Sequence, residues 1–359
     1  MTDTLRNKCE LFERSRVAIS RNFLFEKSLM STAAALIFTG ADREADIDRM
    51  KECRSILNKH TGVFSGYRDN VKLALLGEMA LSDDAEQYIE DVKAVYQKLH
   101  KGHFRDNSYM VLAAMLLCGL GRLNTADEVI AKHNEIMQRM EKLHPFITNK
   151  EDISYVILLA LSDRTVDDIV DDMETCLEYL KKTCKIGAGS DSIQGLSEML
   201  ALTDGDIKEK CDRVIRLYDL LKENKKDIIW GGTVFSSLGM LTGTDEEPEV
   251  IVNDILEADE YLKGCRLFGK DAEDKNQRLM FAELLTASSR RTDAAIVNNA
   301  FINSAFGIIK AQQIVAVITV ISNVLPAVLS AVSDGDSKET DSGDSQAEQQ
   351  NTENDKVNK

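Results

Sequence analysis

Three aspartates, Asp167, Asp168 and Asp171, form the segment of this sequence that is best suited to do chemistry. Their Asp-Asp-x-x-Asp spacing places carboxylates one helical turn apart, where they can converge on magnesium, a cation that prefers oxygen ligands. All-helical prenyl-diphosphate enzymes use this spacing to hold magnesium against a diphosphate. Such enzymes also need a second acidic motif on a facing helix, and Asn253-Asp254-x-x-Glu257 matches one only faintly. The spacing alone predicts a magnesium-dependent enzyme acting on a phosphorylated or isoprenoid diphosphate substrate.

The residues around these aspartates favour a different interpretation. Ile169, Val170 and Met173 lie on the opposite side of the same helix. The carboxylates would then form the solvent-facing side and the first turn of an amphipathic helix, where acids are favoured without any ligand. We keep the three aspartates as candidate metal ligands and expect a solvated helix face.

Other candidate sites are less specific. His100 and His103 could share a transition metal, but Gly102 separates them and no third ligand is nearby, so two exposed histidines at a hairpin end are the simpler interpretation. Gly187-x-Gly189 follows a lysine-rich helix end and not a strand, so it predicts a linker and not a dinucleotide-binding loop. No catalytic triad is marked among the five histidines. The sequence therefore predicts no catalytic residue and no cofactor.

The helices that would position these residues recur with a period of about 41 residues. Each unit is a short apolar helix followed by a polar amphipathic helix, and the apolar helices end in Leu81-Ser82-Asp83, Leu161-Ser162-Asp163, Leu202-Thr203-Asp204 or looser variants. An apolar helix such as Tyr155 to Leu161 is stable only when its neighbours enclose it, so the first helices are predicted to be inner and the second helices outer. The Ser or Thr and the acid between them are predicted to cap the outer helix.

This periodicity predicts an all-α fold, an α-solenoid-like array of about seven helical hairpins in a right-handed superhelix or a closed arc. The low proline count of 3 and the 43% of apolar residues agree with such a fold. We divide the chain into an N-terminal cap helix (1–21), the hairpin array (22–310), an apolar C-terminal helix (311–333) and a disordered acidic tail (334–359).

Three short motifs resemble an uncharacterised bacterial family that is typical of Firmicutes. They are Thr61-Gly62-Val63-Phe64, the helix end at Leu161-Ser162-Asp163, and Lys310-Ala311-Gln312-Gln313 before an apolar segment. The family is a domain of unknown function, numbered 4003, and the resemblance covers about residues 5 to 330. It implies a helical fold and supplies no catalytic residues to carry over.

The segment from Ala311 to Ser333 contains no charged residue. A helix of about 23 residues would be about 34 Å long, enough to cross a bilayer core. Its polar residues fall near one stripe, however, which a lipid-exposed helix does not need. We therefore predict a buried or self-associating helix, with membrane contact through Ala311 to Val332 as the alternative. Pro326 is expected to kink or end the helix.

Charge and cysteine content narrow the classes of function. A net charge of -16 with no basic strip disfavours nucleic acid. Seven cysteines without a Cys-x-x-Cys pair, and no secretory signal, indicate a reduced cytoplasm. Helical arrays usually hold another macromolecule. We expect a non-catalytic cytoplasmic interaction scaffold whose protein or peptide partner presents a basic or mixed surface. The alternatives are the magnesium-dependent enzyme and an adaptor tethered to the cytoplasmic face of the membrane.

Overall fold

The helices of this chain fall into an inner and an outer layer. The computed structural model of the protein divides into two compact units, Met1–Gln313 and Ile314–Lys359. The described residues all belong to the first unit and form helices without any strand, which confirms the all-α prediction. They are 1–62, 65–101, 107–148, 150, 152–183, 190–202, 205–225, 235, 237–265, 268, 272–290 and 309.

The α-helices are numbered α1 to α13 in chain order. They are Asp3–Asn22, Ser28–Gly40, Ile47–His60, Lys72–Leu81, Ala85–Leu99, Ser108–Gly119, Ala126–Leu143, Ile153–Ala160, Val166–Thr183, Ser190–Ala201, Ile207–Asn224, Pro248–Gly264 and Ala272–Ser289. Short 3-10 helices lie at Gly66–Arg68, Leu123–Thr125 and Leu238–Leu241.

Burial separates the two layers as the apolar pattern predicted. All eight residues of α8 are buried, because neighbouring helices cover every side of it. In α9 only one stripe is buried, and this stripe includes Ile169, Met173 and Cys176. The inner layer comprises α2, α4, α6, α8, α10, the 3-10 helix Leu238–Leu241 and α13, and the outer layer comprises α1, α3, α5, α7, α9, α11 and α12.

The described helices of the first unit close into a ring. Each inner helix packs against the next inner helix, and each outer helix against the next outer helix. The first helix, α1, also packs against α12 and α13. At this junction the rings of Phe12 and Phe281 lie 5.6 Å apart, and the Tyr261 hydroxyl donates a hydrogen bond of 2.9 Å to Glu13. The 41-residue repeat itself stays a prediction.

The ring has two rims of different charge. Contacts of the first halves of α1, α7 and α11 with the carbonyl ends of inner elements place the starts of these outer helices at one rim, here called the lower rim. The outer helices run from there to the opposite upper rim, where the inner helices begin. The first turns of the outer helices carry acids and the last turns carry bases, an order that complements the helix macrodipoles. Within the described outer helices, acids therefore lie towards the lower rim and bases towards the upper rim.

At the lower rim, basic side chains of outer helices bind the carbonyl ends of inner helices. Lys8 Nζ donates to the Thr39 carbonyl at 2.8 Å, and Arg213 Nη2 donates to the Thr244 carbonyl at 2.7 Å. Lys132 Nζ on α7 donates to the carbonyls of Ser162 at 2.6 Å and of Arg164 at 2.5 Å. Carbonyls at helix ends lack partners within the helix, so these cations satisfy them.

We expect Lys132→Ala to lower the free energy of unfolding by about 1.5–3 kcal/mol, because both carbonyls lose a charged donor. Lys142→Ala on the same helix is the matched control, since Lys142 is exposed and an exposed substitution of this kind changes stability by less than about 0.5 kcal/mol. Urea unfolding at pH 7 measures both values. Equal losses for the two variants would show that the carbonyl contacts of Lys132 do not stabilise the ring.

The capping of outer helices differs from the prediction in one respect. Ser82 and Ser162 donate to carbonyls at the ends of inner helices, those of Met79 at 2.8 Å and Leu159 at 2.7 Å. The oxygen that caps the following outer helix comes from a residue two or three positions later. Asp84 accepts from the backbone of α5 at 3.0 Å, and Thr165 accepts from the Asp168 backbone N–H at 3.1 Å.

Candidate functional site

The three predicted metal-ligating aspartates lie at the start of α9, on the lower rim. Asp167 accepts a hydrogen bond from Arg139 of α7, and Asp168 accepts one of 2.6 Å from the hydroxyl of Thr165. The Asp171 side chain is exposed. These contacts are those of a helix start joined to the preceding outer helix. The metal hypothesis for Asp167, Asp168 and Asp171 stays a prediction, in which magnesium would have to compete with Arg139.

Of the remaining candidate site residues, the structure describes His100. His100 stacks on Tyr96 with ring centroids 5.3 Å apart, while His103 and the glycines 187 and 189 lie outside the described residues. Within the part of the chain that the structure describes, no group of three or more His, Cys, Asp or Glu side chains is arranged to hold a metal ion.

A cavity of about 310 Å³ opens on the upper rim beside the last turns of α7. Its volume is at the lower end of the range typical of ligand pockets. The cavity is lined by residues of four consecutive helices and of the loops that join them: Leu99, Asn107, Met110, His133, Asn134, Met137, Gln138, Glu141, Lys150 and Ile153. Sequence reasoning missed this cavity, because it exists only where these helix ends meet.

The cavity has an apolar floor and a polar wall. Met110 and Ile153 belong to inner helices and are buried, and Met137 adds a flexible thioether that can adapt to different shapes. Asn134 and Gln138, one helical turn apart on α7, are exposed and place two carboxamides along one wall. Asn134 Oδ1 lies 3.1 Å from His133 Nδ1, so the pocket has beside it the carboxamide of Gln138 and the amide N–H groups of Asn134.

Two exposed apolar side chains lie at the end of α7 and in the loop that follows it. Phe146 is 98% exposed and Leu143 is 48% exposed. A shallower cavity of about 730 Å³ lies on the other side of the α7 end and shares Gln138 and Glu141 with the first. Exposed aromatic groups beside a pocket are typical of interaction surfaces. We call the first cavity together with Lys142, Leu143 and Phe146 the α7 site.

The α7 site carries charged side chains of both signs. Lys142 and Lys150 are exposed at the mouth of the site, and within the described residues neither has an ion-pair partner. Glu141 is the one carboxylate among the described lining residues. The site also lies at the start of the inner helix α8, where the buried carboxylate of Asp152 precedes the first helical residue. The site therefore contains both basic and acidic side chains.

Buried carboxyl groups of the inner layer are a second feature that sequence reasoning missed. Burial raises the pKa of Glu78 on α4 to about 8, and burial raises the pKa of Glu283 on α13 well above its usual value, although a hydrogen bond from Ser237 opposes this. The signal was present in the sequence as a single acid within each apolar run. Both groups belong to the packed inner layer and line none of the cavities described above.

Among the described helices, none is by itself both long enough and apolar enough to span a bilayer, and only Ser108–Gly119 combined with Leu123–Leu143, at a bend of 119°, reaches that length and composition. The predicted membrane segment from Ala311 to Val332, and the acidic tail after it, lie outside the described residues.

Comparison with curated proteins and with solved structures gives no match. A family model with the description "Protein of unknown function (DUF4003)" matches residues 17–314. The match covers most of the ring and confirms the resemblance seen in the sequence motifs. The chain therefore belongs to the DUF4003 family.

Proposed function

We propose that this protein is a non-catalytic cytoplasmic interaction scaffold, built from repeated helical hairpins, that binds a protein or peptide partner at the α7 site. The observation that carries the proposal is the almost fully exposed Phe146, which lies in the chain between Pro145 and Thr148 of the shallower cavity. An aromatic ring in water gains free energy when a partner covers it. A neighbouring pocket allows the partner to insert a side chain of its own, which is the arrangement found at the centres of protein interfaces.

The ring supports this proposal because it holds the site on fixed elements. The pocket floor comes from buried inner helices, and its wall is α7, which Lys132 joins to the end of α8. Binding to a preformed surface orders few groups and so costs little conformational entropy. The repeated contacts of Lys8, Lys132 and Arg213 with carbonyl ends support the hairpin repeat as the origin of this rigidity.

We expect Leu143→Ser/Phe146→Ser to abolish cross-linking of the full-length protein to its main partner in the native cytoplasm. Both positions are exposed, so the variant should fold with unchanged stability. Mass spectrometry after mild in-cell cross-linking of a tagged chain measures partner recovery. Val250→Ser is the matched control, because Val250 is 52% exposed at the start of α12, on the lower rim.

A partner that is recovered with the parent and with Val250→Ser, and lost with the double variant, would support the proposal. A partner that cross-links equally well to the double variant would contradict the α7 site as its binding surface. Failure of the parent chain to recover any stoichiometric partner would contradict the scaffold function itself.

A further inference from the structure

We propose that the turn between α1 and α2 inserts into an anionic lipid membrane and that the basic side chains around it bind the lipid head groups. The surface comprises residues 21–28, 57–62 and 65–72, at the ends of α1 and α3 and the starts of α2 and α4. It is here called the α1 surface. This inference goes beyond the proposed function, since no residue of the α1 surface belongs to the α7 site.

The apolar part of the α1 surface is a tight turn with two large side chains at its centre. The Glu26 backbone N–H donates to the Phe23 carbonyl at 3.1 Å, which makes Leu24 and Phe25 the two central residues of the turn. Such positions usually hold Gly, Pro, Asn, Asp or Ser. Leu24 is 74% exposed and Phe25 is 102% exposed, so neither side chain packs on the ring. Both gain free energy when an apolar medium covers them.

Both ends of this turn are fixed to the ring. Phe23 is buried, and Glu26 pairs with Lys72 of α4 at 2.5 Å. Lys27 Nζ donates to the Asn70 side chain at 3.1 Å. The two central side chains therefore project from a held base, and their insertion into a bilayer orders few further groups.

The side chains around the turn are mainly basic. The described residues of the α1 surface include the bases Arg21, Lys27, Lys59, Arg68 and Lys72 and the acids Glu26 and Asp69. Glu26 is already paired with Lys72, so Asp69 is the one carboxylate left to oppose the other four bases. Lysine and arginine next to a bilayer are attracted to anionic head groups. The same sign continues along the upper rim, because each described outer helix has an exposed base in its last turn.

The net charge of -16 does not prevent this contact. The acids of the outer helices lie towards the lower rim, and α1 has 20 residues, so it is about 30 Å long. This length is more than three times the Debye length of about 8 Å at physiological ionic strength. A membrane at the upper rim therefore interacts mainly with the bases near it.

A bilayer fits this surface better than a protein or a nucleic acid does. The turn projects, so a protein partner would need a matching cavity, whereas a bilayer has an apolar layer directly below its charged head groups. A nucleic acid offers phosphates to the bases but no apolar layer that would cover Leu24 and Phe25.

Cosedimentation with large vesicles tests the inference on the full-length protein. The vesicles are phosphatidylcholine with about 30% phosphatidylglycerol, and phosphatidylcholine alone. We expect binding to the anionic vesicles only. Leu24→Ser/Phe25→Ser and Arg21→Glu/Lys27→Glu should each weaken it by about tenfold or more.

Matched controls make the same changes at exposed positions of the lower rim. Leu123→Ser/Val250→Ser removes two apolar side chains, and Arg122→Glu/Lys208→Glu reverses two charges. Each should change affinity less than about twofold. Thermal unfolding verifies that every variant is folded. Phe25→Trp measures insertion directly, because its emission should move to shorter wavelength with anionic vesicles, with the parent as background.

The outcomes identify which part of the inference fails. Equal binding of the parent and Leu24→Ser/Phe25→Ser would overturn insertion of the turn and direct attention to the segment from Ala311 to Val332. Equal binding of the parent to both kinds of vesicle would overturn the selection of anionic lipid. Absence of binding to either would overturn the membrane contact altogether. If Leu24→Ser/Phe25→Ser then lost a cross-linked protein, the α1 surface would be a protein interface instead. Partner recovery through Leu143 and Phe146 is a separate measurement, so failure here leaves the proposed function standing.

Discussion

Replacing Asp259 with alanine is expected to lower the free energy of unfolding by about 3–5 kcal/mol, because it leaves a buried guanidinium without its counter-charge. The Asp259 side chain is fully buried on α12 and accepts hydrogen bonds from Arg278 Nε of α13 at 2.8 Å and from Lys225 at the end of α11. One carboxylate therefore joins α11, α12 and α13 next to the closure of the ring. Urea unfolding at pH 7 measures the loss.

The neighbouring residue provides the control. Glu260 pairs with Lys263 at 2.9 Å, but both side chains are more than half exposed, and such pairs contribute at most about 1 kcal/mol. We expect Glu260→Ala to be nearly neutral. Similar losses in the two variants would mean that the Asp259 contacts do not hold α11, α12 and α13 together.

A paired substitution separates the charge from the packing. Asp259→Leu combined with Arg278→Met removes the buried carboxylate and guanidinium, keeps an apolar volume between the helices, and leaves Lys225, whose side chain reaches solvent. Buried ion pairs replaced in this way are often neutral or stabilising, so the double variant should recover most of the stability that Asp259→Ala loses. Failure to recover would show that the hydrogen-bond geometry itself determines how α12 and α13 pack.

The two layers of this fold were predictable because burial leaves a direct trace in composition. The unbroken apolar run of α8 indicates a helix that is buried on all sides, and the apolar stripe of α9 indicates a helix that packs through one side. No pattern in the sequence indicates that the ring closes. The meeting of Phe12 with Phe281 depends on small rotations that accumulate over all the intervening helices, and no local pattern records their sum.

The candidate site shows the same division. Leu143 and Phe146 are visible in the sequence as apolar residues in a polar stretch, but the pocket combines Met137 of α7 with Leu99 of α5 and Met110 of α6. The order of acids and bases along each outer helix is visible in the sequence. That the basic helix ends share one rim is known only once the outer helices are seen to end on the same side of the ring.

The burial of Glu78 could have been predicted from the sequence. A single acid inside Leu75-Leu76-Gly77-Glu78-Met79 interrupts an apolar helix in the sequence. A buried carboxyl without a salt bridge is costly when ionised and so remains protonated when the surrounding dielectric is low. The apolar context therefore predicts a neutral side chain in place of a surface charge, and this has a measurable consequence.

We expect Glu78→Gln to remove much of the loss of stability that the parent protein shows as pH rises from 5 to 8. Burial raises the pKa of Glu78 from 4.5 to about 8. Between these values the folded state keeps a proton that the unfolded state has released, so stability is greatest below the unfolded pKa and falls as pH rises through the folded pKa. The difference in pKa corresponds to about 4 kcal/mol at pH 8. Glutamine keeps the shape and stays neutral, so Glu78→Gln should be more stable than the parent at pH 8 and nearly equal to it at pH 4.5.

Thermal and urea unfolding across this pH range measure the contribution of Glu78. Glu86→Gln, on the exposed side of α5, is the control for the loss of one acid. The nearby Tyr88 and Cys118 do not obscure it, because burial raises the pKa of both groups further above the measured range. Glu283 adds a decline of the same sign, which is present in parent and variant alike and therefore cancels in their difference. A difference between Glu78→Gln and the parent that does not change with pH would mean that Glu78 is ionised in the folded ring. The inner layer would then have to supply it with water or a cation, and α4 would line a hydrated space within the ring.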